Sequence, residues 1–196
     1  MIQEKTTLAV PGYYTELRPI TQLAFSCRDV NARVASMRAL GATNWVVDET
    51  EGEHIFLPTD LNDIRFGVTL AFNYDLMESR LGSPVQVEFI QRKFGVSVNL
   101  QGSTPAHMGY QVKNLVEEVK RMAVLGFRLE QVSQTVQHSG DHDDTYRYAY
   151  WTWPGMGTFL KAYEKVIDGQ KKALSSLQTS KDAFGVVLDD QGRIRE

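Results

Sequence analysis

The sequence has few of the features that mark the larger function classes. It has 196 residues, a single cysteine (Cys27) and a net charge of −3. One cysteine excludes an internal disulfide, and the near-neutral charge offers no basic field for nucleic acid or an anionic membrane. No apolar run approaches the roughly 20 residues that span a bilayer, and the N-terminus lacks the apolar core of a signal peptide. We therefore expect a cytoplasmic protein without a nucleic-acid or membrane partner.

Short motifs for nucleotides and for structural zinc are missing as well. The chain contains no G-x-G-x-x-G fingerprint, no P-loop and no Cys/His zinc-finger spacing. The hydrophobic fraction of 42% and the charged fraction of 23% are ordinary for a globular protein. The length allows one good-sized domain or two small modules that share a core.

One pattern occurs twice in the chain. A short alternating segment leads to Asp29, apolar residues then recur at helical spacing, and Gly41 ends the run. The same order leads to Asn114 and ends at Gly126, each 85 residues after its counterpart. Asp and Asn are favoured N-caps and Gly is the favoured helix terminator. The repeat predicts helices near residues 29–40 and 114–125.

Three strand-like runs, rich in β-branched and aromatic residues, follow each predicted helix. They are TNWVVDE, IRFGVTLAFNY and SPVQVEFIQ in the first half, and RLEQVSQTV, TYRYAYWTW and GTFLKAYE in the second. With the strand before each helix, each half forms a βαβββ module. The predicted fold class is α+β, with two tandem βαβββ modules in a curved, cup-shaped mixed sheet and the helices on its convex side.

This organisation divides the chain into five segments. They are an N-terminal extension (1–18), a first module (19–92), a connector (93–104), a second module (105–165) and a C-terminal helix and tail (166–196).

Strand parity selects four polar residues for the concave face. Side chains alternate between the two faces of a strand, and in four strands the apolar set is expected to meet a helix. The opposite face then receives Gln22, Glu88, His107 and Lys161, one from each of these strands. A single polar strand residue is most often an edge or surface group, but four at matched positions of two repeats indicate a shared site.

The segments QLAFSCRD, VQVEFIQ, HMGYQVKN and GTFLKAYEK, in this order and with duplicated helices, resemble the vicinal oxygen chelate superfamily. That superfamily includes glyoxalase I, methylmalonyl-CoA epimerase, extradiol dioxygenases and the bleomycin and fosfomycin resistance proteins. The resemblance covers about residues 19–165. It implies a small-molecule cup and one divalent metal (Ni, Zn, Mn or Fe), with Gln22, Glu88 and His107 matching three of the four ligands of animal-type glyoxalase I.

Lys161 departs from that pattern, because it stands where the resemblance would place a second glutamate. A protonated lysine neither ligates a cation nor abstracts a proton, so ordinary glyoxalase I activity is not expected. Three readings stay open. In the first, Lys161 and Glu88 form a metal-free pocket that binds or sequesters a ligand. In the second, Gln22, Glu88 and His107 hold the metal of a lyase, isomerase or dioxygenase. In the third, Lys161 acts as a base or nucleophile with Glu88 nearby.

Further residues are candidates for ligand contacts. Tyr163 shares the face of Lys161, and Arg65 is assigned to the cup for a carboxylate or phosphate. In TYRYAYWTW, Tyr146, Tyr148 and Tyr150 alternate with Arg147, Ala149 and Trp151, and both phases offer aromatic walls. We include Arg147 and Trp151 among the ligand-binding candidates. The expected partners are a small-molecule ligand and a second copy in a homodimer, and a non-catalytic dimerising interaction module is the alternative from another class.

Overall fold

The computed structural model describes residues 18–56, 64–78, 84–95, 106–139, 142–153 and 157–166. Eight strands and two helices form the described part of the chain. In chain order they are β1 (Gln22–Ser26), α1 (Val30–Ala39), β2 (Val46–Phe56), β3 (Arg65–Glu78), β4 (Pro84–Phe94), β5 (His107–Gln111), α2 (Leu115–Val124), β6 (Leu129–Ser139), β7 (His142–Trp153) and β8 (Thr158–Val166). The prediction of an α+β fold built on a large curved sheet is confirmed.

Both helices begin where the sequence predicts. The side chain of Asp29 accepts a hydrogen bond from the backbone N–H of Ala32 at 3.0 Å. Asn114 does the same for the N–H of Glu117 at 3.2 Å. Both cap residues have extended backbones, so each supplies an acceptor to an N–H that has no partner within the helix.

Both helices also end in the same way. Gly41 and Gly126 adopt φ of +97° and +80°, a region that glycine enters without a Cβ clash. The N–H of Gly41 donates to the carbonyl of Arg38 at 3.0 Å, and that of Gly126 donates to the carbonyl of Ala123 at 2.9 Å.

The strands close into a barrel in the order β1-β4-β3-β2-β6-β7-β8-β5. The β1–β4 and β5–β8 pairs are parallel, and all other neighbours are antiparallel. The two halves of the chain meet at two seams, where β1 pairs with β5 and β2 pairs with β6. Four strands from each half therefore enclose one interior.

The helices cover the outside of this barrel. Val30 and Val34 of α1 pack with residues of β3 and β4 that point away from the interior, including Val87 and Phe89. On the other half, Leu115, Val119 and Met122 of α2 pack with outward residues of β7 and β8, including Trp151 and Leu160. Burial of these apolar faces is the main contribution to the stability of each helix. Neither helix in the described part of the chain is long and apolar enough to span a membrane.

Some predictions lie outside the described residues. Apart from residues 18 and 166, the predicted N-terminal extension (1–18) and C-terminal helix and tail (166–196) lie outside the described residues, as does most of the connector (93–104).

Candidate functional site

Sheet register places the four predicted polar residues around one seam. Ala24 of β1 pairs with Glu88 on one side and with His107 on the other. Gln22, two residues earlier on β1, points to the same face as Ala24. On β8, Lys161 pairs with Gly109 of β5, two residues beyond His107.

The same register identifies which residues correspond between the two halves. Gln22 pairs with Gln86, so Glu88 lies two residues beyond the partner of Gln22. His107 pairs with Phe159, so Lys161 lies two residues beyond the partner of His107. Lys161 is therefore the positional counterpart of Glu88, as the sequence alignment of the two halves assumes.

The imidazole of His107 is the centre of a compact polar group. Its Nε2 lies 2.9 Å from Gln22 Oε1 and 3.3 Å from Glu88 Oε2. The Gln22 amide nitrogen donates to Gln86 Oε1, which turns the Gln22 oxygen towards the imidazole. Two oxygen atoms, from Gln22 of β1 and Glu88 of β4, thus converge on one nitrogen atom of His107 in β5.

Burial controls the charges in this group. Glu88 is 2% exposed and His107 is fully buried. Burial, reinforced by the positive charge of Lys161, lowers the pKa of His107 from 6.5 to about 4, although Glu88 opposes the shift. Burial alone raises the pKa of Glu88, but Lys161 and His107 outweigh it, and the net pKa lies below its ordinary value. At neutral pH the group therefore contains a neutral imidazole and a carboxylate.

One oxygen of this carboxylate lacks a hydrogen bond. Within the described part of the chain, Glu88 Oε2 is buried and has no hydrogen-bond partner. It lies 3.3 Å from His107 Nε2, and the same nitrogen lies closer, at 2.9 Å, to the amide oxygen of Gln22. A buried carboxylate oxygen without a donor costs free energy, so this position is suited to a further donor from a ligand.

Lys161 is surrounded by tyrosine rings. Its ammonium lies 4.9 Å from the ring centroid of Tyr148, 5.6 Å from that of Tyr163 and 5.9 Å from that of Tyr150. Among the described residues, no carboxylate lies within 4.0 Å of the ammonium, so the ion pair expected with Glu88 is not a direct contact. Burial lowers the pKa of Lys161, and the more distant charge of Glu88 opposes that shift.

A cavity of about 660 Å³ occupies the barrel interior. One wall is apolar, and the facing wall is built from tyrosines and Lys161. The apolar residues are Phe66, Val68, Leu70, Phe72 and Ile90, the polar ones include Gln22, Gln86, Glu88, Gln111 and Gln137, and the tyrosines are Tyr74, Tyr146, Tyr148, Tyr150 and Tyr163. This volume and mixed lining suit a ligand of drug-like size.

Arg65 does not lie at this cavity. Its guanidinium is exposed and forms a 2.9 Å ion pair with Glu51. The residues of β3 that line the cavity are Phe66 and every second residue after it, up to Tyr74. The prediction that Arg65 lines the cup is wrong. The apolar face of β3 lines the cavity, and Arg65 lies on the opposite face.

Arg147 and Trp151 also point to the outside. Arg147 forms a 2.5 Å ion pair with Glu164, whose other carboxylate oxygen accepts the N–H of Leu115 at the start of α2. Trp151 is fully buried in the cluster beneath α2. These residues hold the helix on the barrel, so the predicted contacts of Arg147 and Trp151 with ligand are not available.

The other phase of β7 supplies the cavity wall. Tyr146, Tyr148 and Tyr150 alternate with the outward residues and line the interior. The sequence left both phases open, since both contain aromatic residues. The pairing of Arg147 with Glu164 on β8 could have identified the outward face of β7, because Arg147, Ala149 and Trp151 share that face.

The four-ligand metal site implied by the resemblance can be tested on these distances. Two ligand atoms of a cation with bonds of about 2.1 Å lie about 3.0 to 3.4 Å apart. His107 Nε2 lies 2.9 Å from Gln22 Oε1 and 3.3 Å from Glu88 Oε2, so the spacing of these three atoms is close to that of metal ligands. The fourth position, however, carries the ammonium of Lys161, which has no lone pair and repels a dication. The complete set does not fit a resident divalent metal.

A scan against family models and a search of curated proteins found no significant match. Among solved structures, the chain is similar to a variant of methylmalonyl-CoA epimerase from Streptomyces coelicolor in complex with 2-nitronate-propionyl-CoA. That comparison has 13% identity and a TM-score of 0.47, and covers 78% of this chain and 100% of that chain.

Two further structures are similar over most of the chain. Methylmalonyl-CoA epimerase from Mycobacterium tuberculosis has 13% identity and a TM-score of 0.42, covering 78% of this chain and 92% of that chain. A mutant of 4-hydroxymandelate synthase from Streptomyces coelicolor has 10% identity and a TM-score of 0.43, covering 86% of this chain and 55% of that chain. At 10 to 13% identity, these similarities leave the family and the substrate of this chain open.

Proposed function

We propose that the barrel cavity binds a small organic molecule without a metal ion, and that Lys161 selects it. The observation that carries this proposal is the environment of the Lys161 ammonium. It lies at a cavity wall, three tyrosine ring centroids lie 4.9 to 5.9 Å from it, and no carboxylate of the described residues approaches within 4.0 Å. A buried charge without a direct counter-ion is costly. A ligand that brings an acceptor oxygen to this ammonium would offset that cost.

The cavity walls indicate the remainder of the ligand. The apolar side chains of β3, together with Ile90, face the tyrosines of β7 and β8 across the interior. A flat apolar body between these walls would bury hydrocarbon on one side and contact aromatic rings on the other. The favoured ligand class is therefore an aromatic or otherwise flat molecule with one carbonyl or carboxylate oxygen. This function is binding or sequestration, and it requires no chemical step.

We also propose that the two halves are tandem βαβββ modules, 19–92 and 105–165, joined by a connector at 93–104. The matched N-caps, the matched terminal glycines and the matched register of the parallel strand pairs support this division. The homodimer and the cytoplasmic location remain predictions.

A second candidate is a divalent-metal-dependent lyase, isomerase or dioxygenase with Gln22, Glu88 and His107 as ligands. The observation in its favour is the buried Glu88 Oε2 without a hydrogen bond, together with its closeness to His107 Nε2. The charge of Lys161 opposes this candidate.

The binding proposal is tested with an apolar fluorescent anion, 1-anilinonaphthalene-8-sulfonate, and with benzoate as competitor. We expect saturable fluorescence enhancement that benzoate reverses. Lys161→Met should weaken binding about tenfold or more, because one charge-assisted hydrogen bond is lost. Arg65→Ala is the matched control, since it removes a positive charge from the outer surface.

Two results would contradict the proposal. One is equal affinity in the native protein and in Lys161→Met. The other is a loss of binding in Arg65→Ala as large as in Lys161→Met, which would place the dye on the outer surface. Circular dichroism of each variant checks that the dye does not report unfolded protein.

A further inference from the structure

The proposed ligand site contains a buried lysine whose surroundings differ from those of three other lysines in the described part of the chain. Lys93 forms a 2.7 Å ion pair with Glu49, and Lys120 forms a 3.2 Å ion pair with Glu117. Lys165, at the cavity, forms a 2.7 Å ion pair with Asp144. Lys161 has tyrosine rings in place of a carboxylate, so no direct ion pair stabilises its protonated form.

We infer that Lys161 is an amine nucleophile that forms an imine with aldehydes or ketones entering the barrel cavity. This inference rests on the proposed function, and it specifies the acceptor group of the ligand as a carbonyl. The geometry that carries it is an amine at the wall of a 660 Å³ cavity, enclosed by ring faces that leave room for a flat carbonyl compound on the cavity side.

The chemical step is balanced without any further reagent. The nitrogen lone pair of Lys161 attacks the carbonyl carbon, a C–N bond forms, and the π pair of the carbonyl moves to oxygen, which takes up a proton. The nitrogen loses its protons as the C=N bond forms, and the oxygen departs as one molecule of water. One carbonyl compound and one amine give one imine and one water, and nothing is oxidised or reduced.

The environment supports this step in two ways. Burial lowers the pKa of Lys161 below that of an ordinary lysine, against the opposing charge of Glu88, so a larger fraction of the amine is free to attack. The tyrosine rings and the apolar wall of β3 also limit the water that could hydrolyse the imine.

The experiment traps the imine by reduction. The native chain is incubated with benzaldehyde and sodium cyanoborohydride, and the modified residue is identified by mass spectrometry of the intact protein and of its peptides. We expect one benzyl group per chain, on Lys161, before any modification of Lys93 or Lys120. The Lys161→Arg variant keeps the positive charge and has no imine-forming amine, so it should lose this adduct, and circular dichroism checks that the variant is folded. Lys120→Arg is the surface control and should keep the adduct.

Benzyl alcohol separates failure of the imine from failure of the binding site. It has the ring and size of benzaldehyde without the carbonyl. If benzyl alcohol and benzaldehyde both displace the dye but no adduct forms on Lys161, the imine is overturned and the binding function stands. If neither displaces the dye and no adduct forms on Lys161, both proposals fail. Adducts spread over the surface lysines, at rates no lower than that of Lys161, also overturn the inference.

Discussion

The amide oxygen of Gln22 and the imidazole Nε2 of His107 lie 2.9 Å apart across the β1–β5 seam, although 85 residues separate them in the chain. The same offset separates the N-caps Asp29 and Asn114. Equivalent positions of the two halves thus contact each other where β1 pairs with β5. Because Gln22 is 4% exposed and His107 is fully buried, this contact holds the seam closed. Gln22 also lines the cavity, whereas His107 lies behind the lining residues.

Gly109 should be required at this seam. A Cβ at position 109 would lie 2.8 Å from Gln22 Oε1 and 3.2 Å from Gln22 Cβ, too close for both side chains to stay in place. We expect Gly109→Ala to displace the Gln22 amide from His107 and to lower the free energy of unfolding by about 1 to 2 kcal/mol. Urea denaturation measures the change.

A second background tests whether this contact is the cause. In a Gln22→Ala protein the amide oxygen is gone and only the 3.2 Å approach to the Cβ of residue 22 remains, so Gly109→Ala should cost clearly less than in the native background. An equal cost in both backgrounds would show that the substitution acts elsewhere, for example on the β5 backbone.

His107 should make stability depend on pH in a defined window. Its folded pKa is about 4, compared with 6.5 for an ordinary histidine, so the unfolded chain takes up the proton first as the pH falls. Its contribution to stability is complete above pH 6.5 and is lost as the pH falls towards 4, by about 3 kcal/mol in total. Urea denaturation at several pH values from 4 to 7 measures this loss.

The His107→Gln variant is the control for this window. It lacks the titrating group, so the difference in unfolding free energy between native and variant proteins should change across pH 4 to 6.5 and stay constant above it. A difference that is constant over the whole range would mean that His107 is not buried in its neutral form. Glu88, whose pKa is lowered, loses its contribution at lower pH, below its ordinary value of 4.5.

How far the sequence predicted the site depends on the strand. In β1, β4, β5 and β8 polar residues alternate with apolar ones, and the polar set does face the interior, as Gln22, Glu88 and Lys161 show. Parity was sufficient there, because only one face of each strand is apolar enough to pack against a helix.

In β3 the same rule fails. The interior wall itself is apolar, as Phe66 and Leu70 show, while the outward face carries small or polar residues such as Ala71 and Asn73. Ala71 packs in the cluster beneath α1, where a small side chain lets the helix approach. An apolar cavity wall and a helix-facing core have the same sequence pattern, so periodicity alone does not separate them.

The helix caps provide a test of the repeat that is independent of the site. Asp29→Ala and Asn114→Ala each remove one acceptor from a helix N-terminus, and each should lower the free energy of unfolding by about 1 kcal/mol. Because the caps belong to different halves, the double variant should show the sum within about 0.5 kcal/mol. Serine at either position should restore most of the loss. A negligible cost at one cap would show that the two helix starts are not equivalent in energy.

The last prediction concerns the position at which the chain departs from a four-ligand metal site. Lys161 is the register counterpart of Glu88, so Lys161→Glu would remove an ammonium and place a second carboxylate near Gln22, Glu88 and His107. We expect divalent cations to bind the variant and not the native protein, because the repulsion is removed and an anionic ligand is added. Calorimetric titration with nickel, zinc and manganese measures both forms, and Lys161→Met, which removes the charge without adding a ligand, separates the two effects.

Each outcome of this titration selects one function. Binding in Lys161→Glu alone supports the metal-free cavity of the native chain. Tight binding of one equivalent by the native protein, lost in His107→Gln, would refute that cavity and favour the metal-dependent enzyme that uses Gln22, Glu88 and His107. If none of the forms binds a cation, the close approach of His107 Nε2 to Gln22 and Glu88 is a hydrogen-bonded seam of the barrel, and a single added carboxylate is not enough to convert it into a metal site.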